Sequence, residues 1–492
     1  MYNLTIFSMS KKRFFKSYWL LAAGFGLMAV GCADDGFDDE SFQSGNGVTN
    51  TQLVSPSADD ITITASPDGS KQTIAWPVVY GAGGYQAILK NLTEDEIVVD
   101  TIIDGLSFAT SRLEDTNYEV TVQVLGNEKL GNKAGEVTSK LFTTFADSYA
   151  TIPTGTDLYQ YFQDNPVPAP AEDAESDEII YDLEAGGEYT VSQPLDMGLH
   201  KVLLRTNDKL KHAIITLAEG AYFVCTDALS FNYLSFDCSA TAKPFILLNE
   251  NPDESLLPEP VDGKQSEYFR IKHIKIQNSE IMGVNASLIY DNNKKYCVAT
   301  LLIKNTIIQM QSVADNIKNE SWISFQGGGA KDFSVINSTI YQTGTDRPKY
   351  FIRYNNSVRI DRIGWPTTDH TTMTYLNSTF YNVNAGNWAN YAGISNYSQY
   401  DLQNNIWVDC GDGAIARRVM GNSRLGTNSS INYFRNTYWK DGEATDQSTY
   451  DTTETALTTD PAFVDAANGN FTPTGAEQVE YQTGDPRWLE SK

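Results

Sequence analysis

The feature that most constrains this chain is a short motif, Asn-x-x-apolar, that recurs through its second half. Each copy ends a run of apolar or β-branched residues, and the steps between the asparagines are 27, 32, 40, 27 and 32 residues. The copies are Asn278 with Ile281, Asn305 with Ile308, Asn337 with Ile340, Asn377 with Phe380, Asn404 with Trp407, and Asn436 with Trp439. This period and the near absence of helical periodicity predict a parallel β-solenoid with one coil per repeat.

A repeated asparagine has a physical reason in such a solenoid. It tolerates left-handed backbone angles, and its amide can bond the asparagine one coil below. Asparagine is also common in ordinary turns, but six copies in one phase favour the solenoid. The motif therefore predicts scaffold and names no chemistry.

The composition narrows the classes of partner. The chain has 492 residues, 41% of them hydrophobic and 12% aromatic, and its formal net charge is −26. Such a charge repels phosphates and argues against nucleic acid as a partner. It suits neutral glycans, or acidic glycans held at a local basic patch or through a bound cation. Only four histidines are present, which argues against a His-rich zinc site.

The amino terminus has the pattern of an export signal. Lys11, Lys12, Arg13 and Lys16 precede an apolar run from Trp19 to Val30 that is shorter than a membrane span. Gly31 before the lone Cys32 resembles a bacterial lipobox, which implies a lipoprotein signal peptide over 1–31 and a lipid on Cys32. The alternative is an ordinary signal peptide with a chance cysteine.

The acidic residues between 34 and 40 resemble the surface-export signal of Bacteroidota lipoproteins. The resemblance implies an outer-membrane protein, anchored through Cys32 and exposed on the cell surface. Residues 32–58 are also rich in Gly, Ser, Asn and Asp, which predicts an acidic flexible tether.

Residues 59–147 show short alternating strands at hairpin spacing, as in a small β-sandwich. Trp76 on an early strand, the run from Gly81 to Tyr85, and Leu113 five residues before Tyr118 resemble a fibronectin type III module. The resemblance implies that Trp76 and Tyr118 are buried, and that the module is a spacer or a binding platform.

Residues 150–490 predict a right-handed parallel β-helix of roughly ten coils, so the whole chain is all-β. A short helix with Leu158, Tyr161 and Phe162 on one face and Thr156 as N-cap is predicted to cover its amino-terminal end. The alternative architecture is a long jelly roll or double sandwich.

The carboxyl end carries Asp460-Pro461 and the run from Gly484 to Trp488. Together with the lipobox, the sandwich and the phased asparagines, this ending resembles β-helix lipoproteins of Bacteroidota found among glycan-degrading systems. The resemblance implies polysaccharide as partner, with other glycan-utilisation proteins as further partners. It implies no demonstrated activity.

The cysteines after Cys32 have no Cys-x-x-Cys spacing. Cys225 and Cys238 could form a disulfide in an oxidising compartment, or they could remain free as small core residues. The sequence leaves both states open.

Two polar clusters are candidates for chemistry. A lyase needs a base, and Lys349, Arg353 and Arg359 are the candidates. Strand alternation would point Arg353 outward beside an exposed Phe351. Asp409 and Asp412, in a Gly-rich turn, could contact a cation or a glycan, so calcium is a possible ligand, no cofactor is firmly indicated, and the metal is unknown. The alternative for both clusters is an ordinary solvated loop.

Aromatic residues in Gly-, Asn- and Ser-rich segments are candidates for stacking on sugar rings. They are Trp365, Trp388, Tyr391, Tyr397 and Tyr400. The alternative is that each packs against its own loop. The sequence therefore predicts non-catalytic polysaccharide binding, with a pectate-lyase-like lyase acting on uronic-acid glycans and an adhesin or structural protein as alternatives.

Overall fold

The computed structural model describes residues 48–169, 178–261, 263–311, 316–344, 346–390, 394–420 and 429–489. The predicted signal peptide, Cys32 and Tyr391 lie outside these residues. Within them, every helix is too short or too polar to span a membrane.

Two antiparallel sheets form the amino-terminal sandwich. Its strands are β1 (Thr62–Ala65), β2 (Lys71–Ala75), β3 (Tyr85–Asn91), β4 (Glu96–Ile103), β5 (Ser107–Ser111), β6 (Asn117–Val124) and β7 (Thr138–Thr143). One sheet has the order β1-β2-β5 and the other β4-β3-β6-β7. Trp76 and Tyr118 lie in the core between them, so their predicted burial is confirmed.

The described end of the predicted tether is packed against this sandwich. Leu53 is buried in the sandwich core, and its backbone N–H donates to the carbonyl of Lys133. Asn50 bonds the carbonyl of Leu130 in the same way. Residues 48–58 are therefore part of the sandwich, and the prediction of a tether reaching residue 58 was wrong for them.

A strand and a helix lead into the second domain. They are β8 (Ala150–Ile152) and α1 (Leu158–Asp164). Leu158 and Phe162 are buried, and the Phe162 ring meets Tyr181 of the first coil edge-on at 5.0 Å between centroids. The N-cap is Asp157, whose carboxylate accepts from the N–H of Tyr159, rather than the predicted Thr156.

Nine coils follow. Coil 1 contains β9 (Glu178–Leu183), β10 (Glu188–Val191) and β11 (Leu195–Asp196), and coil 2 contains β12 (Lys201–Thr206), β13 (Ala213–Leu217) and β14 (Phe223–Cys225). Coil 3 contains β15 (Ala228–Asn232), β16 (Leu234–Asp237) and β17 (Ile246–Leu248), and coil 4 contains β18 (Phe269–Gln277), β19 (Glu280–Val284) and β20 (Ile289–Tyr290). Coil 5 contains β21 (Tyr296–Lys304), β22 (Ile307–Met310) and β23 (Ser321–Ser324). Coil 6 contains β24 (Gly329–Ile336), β25 (Thr339–Gln342) and β26 (Tyr350–Arg353), and coil 7 contains β27 (Thr371–Leu376), β28 (Thr379–Tyr381) and β29 (Ala389–Asn390). Coil 8 contains β30 (Ser398–Gln403), β31 (Ile406–Val408) and the helix α2 (Ile415–Val419). Coil 9 contains β32 (Ser430–Phe434), β33 (Thr437–Lys440) and β34 (Glu443–Ala444).

Strands of successive coils stack on one another and build three sheets, with three strands from each of coils 1 to 7 and two stacked strands from each of coils 8 and 9. Sheet I consists of β8 and the first strand of each coil. Sheet II consists of the second strand of each coil and β34, and sheet III consists of the third strands of coils 1 to 7. All neighbouring strands in these sheets pair in parallel except β33 with β34. The parallel β-helix is therefore confirmed, and the jelly-roll alternative is excluded.

The repeated asparagines lie at the corner between sheets I and II. Asn278, Asn305, Asn337, Asn377 and Asn404 all have positive φ, between 46° and 55°. The amide of each donates to the Oδ1 of the preceding asparagine at 2.8 to 3.1 Å, and Asn278 donates to Asn232 at 2.7 Å. This asparagine ladder is the scaffold that the motif predicts.

The sixth copy occupies a different row. In coil 9 the left-handed position belongs to Arg435, with φ 49°. Asn436, one residue later, is buried and accepts the backbone N–H of Asn405 at 3.1 Å. The register of β30 with β32 pairs Gln403 with Phe434, so Arg435 and not Asn436 is aligned with Asn404.

The carboxyl-terminal segment turns back across sheet II. It contains β35 (Phe463–Asp465), β36 (Asn470–Pro473) and α3 (Ala476–Tyr481). Phe471 packs on Tyr341 at 4.9 Å between ring centroids, and the Trp488 indole donates to Thr339 Oγ1 at 2.7 Å. The run from Gly484 to Trp488 therefore covers the outer face of the later coils.

Candidate binding groove

Two long connections from sheet III to sheet I bound a groove on the β-helix. One joins β17 to β18 over residues 249–268, and the other joins β26 to β27 over residues 354–370. The turns of coils 4 and 5 between them, 291–295 and 325–328, are short. A groove consequently lies over these short turns, between two projecting walls.

The walls are tied to each other and to sheet I. Ser266 Oγ donates to the carbonyl of Arg362 at 2.8 Å, and the Arg270 guanidinium donates to the carbonyl of Gly364 at 2.6 Å. The same guanidinium lies 3.9 Å from the centroid of a Trp365 ring. These contacts hold both walls of the groove in place before any ligand is bound.

The lining of the groove is polar. Its volume is about 750 Å³. It is lined by Lys264, Gln265, Glu267, Tyr268, Asn293, Lys295, Gln326, Gly327, Asn355, Ser357, Asp361 and Arg362. Amides, hydroxyls and charges of both signs thus face one open space.

A buried carboxylate fixes the floor. Asp291, with no exposed surface, accepts backbone N–H groups from Asn293 and Gln326 at 3.1 and 3.0 Å, and from Gly327 and Gly328 at 2.7 and 2.8 Å. Burial raises the pKa of this carboxyl from 3.8 to about 6, although the four donors oppose the shift. Asp291 therefore joins the turns of two coils and holds the backbone of Gln326, a residue that lines the groove.

The charged groups on the rim are mostly paired. Lys295 bonds Glu267, and the Lys264 ammonium lies 3.9 Å from Asp361. Arg362 is exposed, and within the described chain no carboxylate lies within 4.0 Å of its guanidinium. Arg362 is thus the cation of the groove that is most available to a ligand.

The predicted basic cluster is divided by the fold. Arg359 bonds Asp361 at 3.2 Å but does not itself line the groove. Lys349 and Arg353 lie over the Tyr350 ring, at 5.2 and 5.6 Å from its centroid, and do not line the groove. Phe351, expected on the outer face with Arg353, is buried and stacks on Trp388, so that expectation was wrong.

The predicted stacking aromatics are largely inside the protein. Trp388 is fully buried and Tyr400 is 2% exposed, so neither can present a ring to a sugar, and both predictions are corrected. Trp365 is half-buried beneath Arg270, and Tyr397 is half-buried with its hydroxyl 3.5 Å from Arg359. The Gly- and Asn-rich context suggested exposure, but Trp388 and Tyr400 lie in the core of the stacked coils.

The acidic turn has partners of its own. Asp412 pairs with Arg418 at 2.8 Å, and Asp409 accepts the backbone N–H of Asp441 at 3.0 Å. Within the described ranges, no group of three or more His, Cys, Asp or Glu side chains could hold a metal ion. Asp412 is thus paired close to its own turn, whereas Asp409 is bonded to the turn between β33 and β34 in the next coil.

The cysteines of the β-helix are free thiols. Cys225, Cys238, Cys297 and Cys410 are all buried. Burial raises the pKa of the Cys225 and Cys238 thiols well above the ordinary value. Of the two states left open by the sequence, the structure has the free one.

Sequence reasoning missed most of the groove. Lys264, Lys295, Asn293 and Gln326 were not candidates, because they are far apart in sequence and in ordinary turn contexts. The one available signal was loop length, since long insertions between β-helix strands are where binding walls arise.

Three family models match the chain, each described as a domain of unknown function. They cover residues 9–186 (DUF4992), 187–343 (DUF4957) and 373–488 (DUF5123). Among curated proteins there is no match.

Solved structures similar to this chain include two pectate lyases and a polygalacturonase. The pectate lyase Pel3 of Pectobacterium carotovorum is 9% identical, with 80% of this chain and 93% of that chain covered and a TM-score of 0.14. The pectate lyase PelI of Erwinia chrysanthemi, in complex with tetragalacturonic acid, is 8% identical, with 78% of this chain and 89% of that chain covered and a TM-score of 0.12. The family 28 exopolygalacturonase of Yersinia enterocolitica is 9% identical, with 80% of this chain and 86% of that chain covered and a TM-score of 0.18. At these TM-scores the architecture rests on the strand pairings of this chain alone.

Proposed function

We propose that this chain is a cell-surface lipoprotein that binds polysaccharide in the groove between its two long connections and performs no chemistry on it. The observation that carries the proposal is the groove itself. It is preformed, about 750 Å³ in volume, and lined by amide, hydroxyl and charged groups. A sugar polymer offers hydroxyls along its length, and such a lining supplies donors and acceptors for them.

The floor of the groove suits an extended polymer. Asn293, Gln326 and Asn355 come from the turns of three successive coils, and stacked coils repeat at about 4.8 Å. Asn355 also donates to the carbonyl of Gln326, which keeps the two turns together. Amides repeated along the axis of the β-helix can meet successive sugars of a chain.

The rest of the proposal concerns location. We propose a lipid on Cys32, anchorage to the outer membrane, and exposure on the outside of the cell. The sandwich, which we assign to the fibronectin type III kind, would then stand between the anchor and the β-helix. The acidic run behind Cys32 and the order of the domains support this arrangement.

The test uses the protein without residues 1–32 and a panel of plant and host polysaccharides, with and without calcium. We expect retention on at least one glycan without release of products. Replacing Gln326 with Ala and Asn293 with Gly, which keeps the left-handed φ of 60° at that position, should weaken that retention. Gln160→Ala on α1, which removes an exposed amide outside the groove, should not.

The same incubation separates the alternatives. Release of unsaturated oligosaccharides would show that the protein is a polysaccharide lyase and not a non-catalytic binding protein. Absence of retention on every glycan would refute the proposal and leave an adhesin or a structural protein.

A further inference from the structure

The groove concentrates positive charge in an acidic protein. The whole chain has 36 Lys and Arg against 62 Asp and Glu. The lining of the groove reverses this balance, with Lys264, Lys295 and Arg362 against Glu267 and Asp361. A neutral polymer needs no such reversal, and an anionic one would be repelled by most of the remaining surface.

We propose that the groove selects glycans that carry carboxylate or sulfate groups, and that Arg362 and Lys264 on its two walls supply the selectivity. This inference rests on the proposed function and names the class of polysaccharide that the groove takes. Lys264 belongs to the connection of 249–268, and Arg362 to that of 354–370. An anionic group between them is approached from both sides.

The pairing of these cations favours an external anion. The 3.9 Å from Lys264 to Asp361 is close to the limit for an ion pair, and 69% of the Lys264 side chain is exposed. Asp361 is also shared with Arg359, at 3.2 Å. One carboxylate therefore serves two cations, and a bound anion would relieve their repulsion without breaking a strong contact.

Arg362 is positioned by its backbone and leaves its guanidinium to the solvent. Its carbonyl is bonded to Ser266, and the side chain is exposed. Glu267, Lys295 and Arg362 all line the groove. Lys295 first, and Arg362 to a smaller extent, hold the pKa of Glu267 below its ordinary value. A guanidinium in this position can bind carboxylate or sulfate oxygens through two parallel N–H groups.

Variants that remove a cation or an anion from the groove test the inference. Arg362→Gln should weaken binding of the retained acidic glycan about two- to fivefold at low ionic strength. Glu267→Gln should strengthen it, because an anion is removed and Lys295 is released from its partner. Lys243→Gln, which removes an exposed cation that does not line the groove, is the matched control and should leave the affinity unchanged.

A chemical control acts on the glycan. The retained polymer is compared with its own carboxyl-reduced or desulfated form, which keeps the sugars and linkages and loses the charge. Loss of binding on reduction assigns the anion to carboxylate, and loss on desulfation to sulfate. Raising the salt from 0.02 to 0.15 M should weaken binding of the charged form and leave the neutral form alone, with a Debye length falling to about 8 Å.

The outcomes distinguish selectivity for anionic glycans from polysaccharide binding itself. Equal binding of the charged and neutral forms, or equal effects of Arg362→Gln and Glu267→Gln, would overturn the selectivity and leave polysaccharide binding in place. Absence of binding to any glycan would overturn both.

Discussion

Asp291 shows how one residue determines the shape of the groove. Its carboxylate is surrounded by backbone N–H groups of two turns and has no cationic partner near it among the described residues. Gly327 and Gly328, which donate two of these bonds, lie so close to the preceding coil that a Cβ on either would overlap a backbone carbonyl. Side chains at the surface of the groove therefore depend on groups that no ligand touches.

The raised pKa of Asp291 predicts a pH dependence of stability. Because the folded protein binds this proton more tightly than the unfolded chain, the contribution is fully present below pH 3.8 and is lost as the pH rises through about 6. The shift corresponds to about 3 kcal/mol. Urea unfolding from pH 4 to pH 7 should show a decline in the free energy of unfolding that is smaller in Asp291→Asn. Parallel curves for the two proteins would contradict the assignment.

Close packing at Gly328 predicts a second effect. In Gly328→Ala the added Cβ would meet the carbonyl oxygen of Tyr296, and the floor turn must move to make room for it. Overpacking of this kind costs about 1 to 3 kcal/mol. Gly105→Ala in the sandwich, where the nearest atom is 3.8 Å away, should change the unfolding free energy by less than about 0.5 kcal/mol. Equal thermal midpoints for the two variants would show that the turn adapts freely.

At the scale of the element, the asparagine ladder joins backbone conformation to coil stacking. Each ladder residue has a left-handed backbone, and its amide group both donates to one neighbouring coil and accepts from the other. The following residues form a second buried row, in which Ser338 accepts the N–H of Thr306 and Ser378 accepts that of Ser338. The corner between sheets I and II is therefore satisfied by two columns of short polar side chains.

The two roles of a ladder residue can be separated at Asn337. Asn337→Gly keeps the left-handed angle but removes the bonds to Asn305 and Asn377, each 3.1 Å long. Asn337→Ala removes the same bonds and also leaves a residue that resists φ of 49°. We expect a loss of about 1 to 3 kcal/mol for Gly and about 1 kcal/mol more for Ala, measured by urea unfolding. Identical losses would mean that the backbone angle carries no cost.

At the scale of the whole molecule, the fold was more predictable than the site. The ladder asparagines are visible in the sequence because each coil repeats the same local requirement. Their spacing and the strand-like runs before them are therefore enough to predict the β-helix. The groove depends on residues from four separate connections, which come close together only when coils 3 to 6 stack. Trp388 and Tyr400 failed as site predictions for the same reason, since their polar sequence neighbours conceal core positions.

Several contacts join the sandwich to the first coils. Lys209 pairs with Glu94 at 2.7 Å, the Tyr233 hydroxyl donates to Asp115 at 3.0 Å, and the Asn117 amide donates to the carbonyl of Asn207 at 3.1 Å. Tyr233 occupies the position that asparagine takes in later coils, with φ of 57°. At the end of the β-helix that faces the sandwich, a residue in the ladder position therefore contacts the sandwich.

Arg205 is the residue on which this junction should depend most. Its side chain is 4% exposed, pairs with Asp182 at 2.7 Å, bonds the carbonyl of Ala146, and lies 5.1 Å from the centroid of the Phe145 ring. Arg205→Ala would leave Asp182 buried without its cation, at a cost of about 3 to 5 kcal/mol. The exposed pair offers the control, since Lys209→Gln should cost less than about 1 kcal/mol. Thermal unfolding together with limited proteolysis of residues 144–149, which join the two domains, measures both effects. If Arg205→Ala were no more easily unfolded or cleaved than Lys209→Gln, the buried pair would not hold the domains together, and the exposed contacts would have to do so.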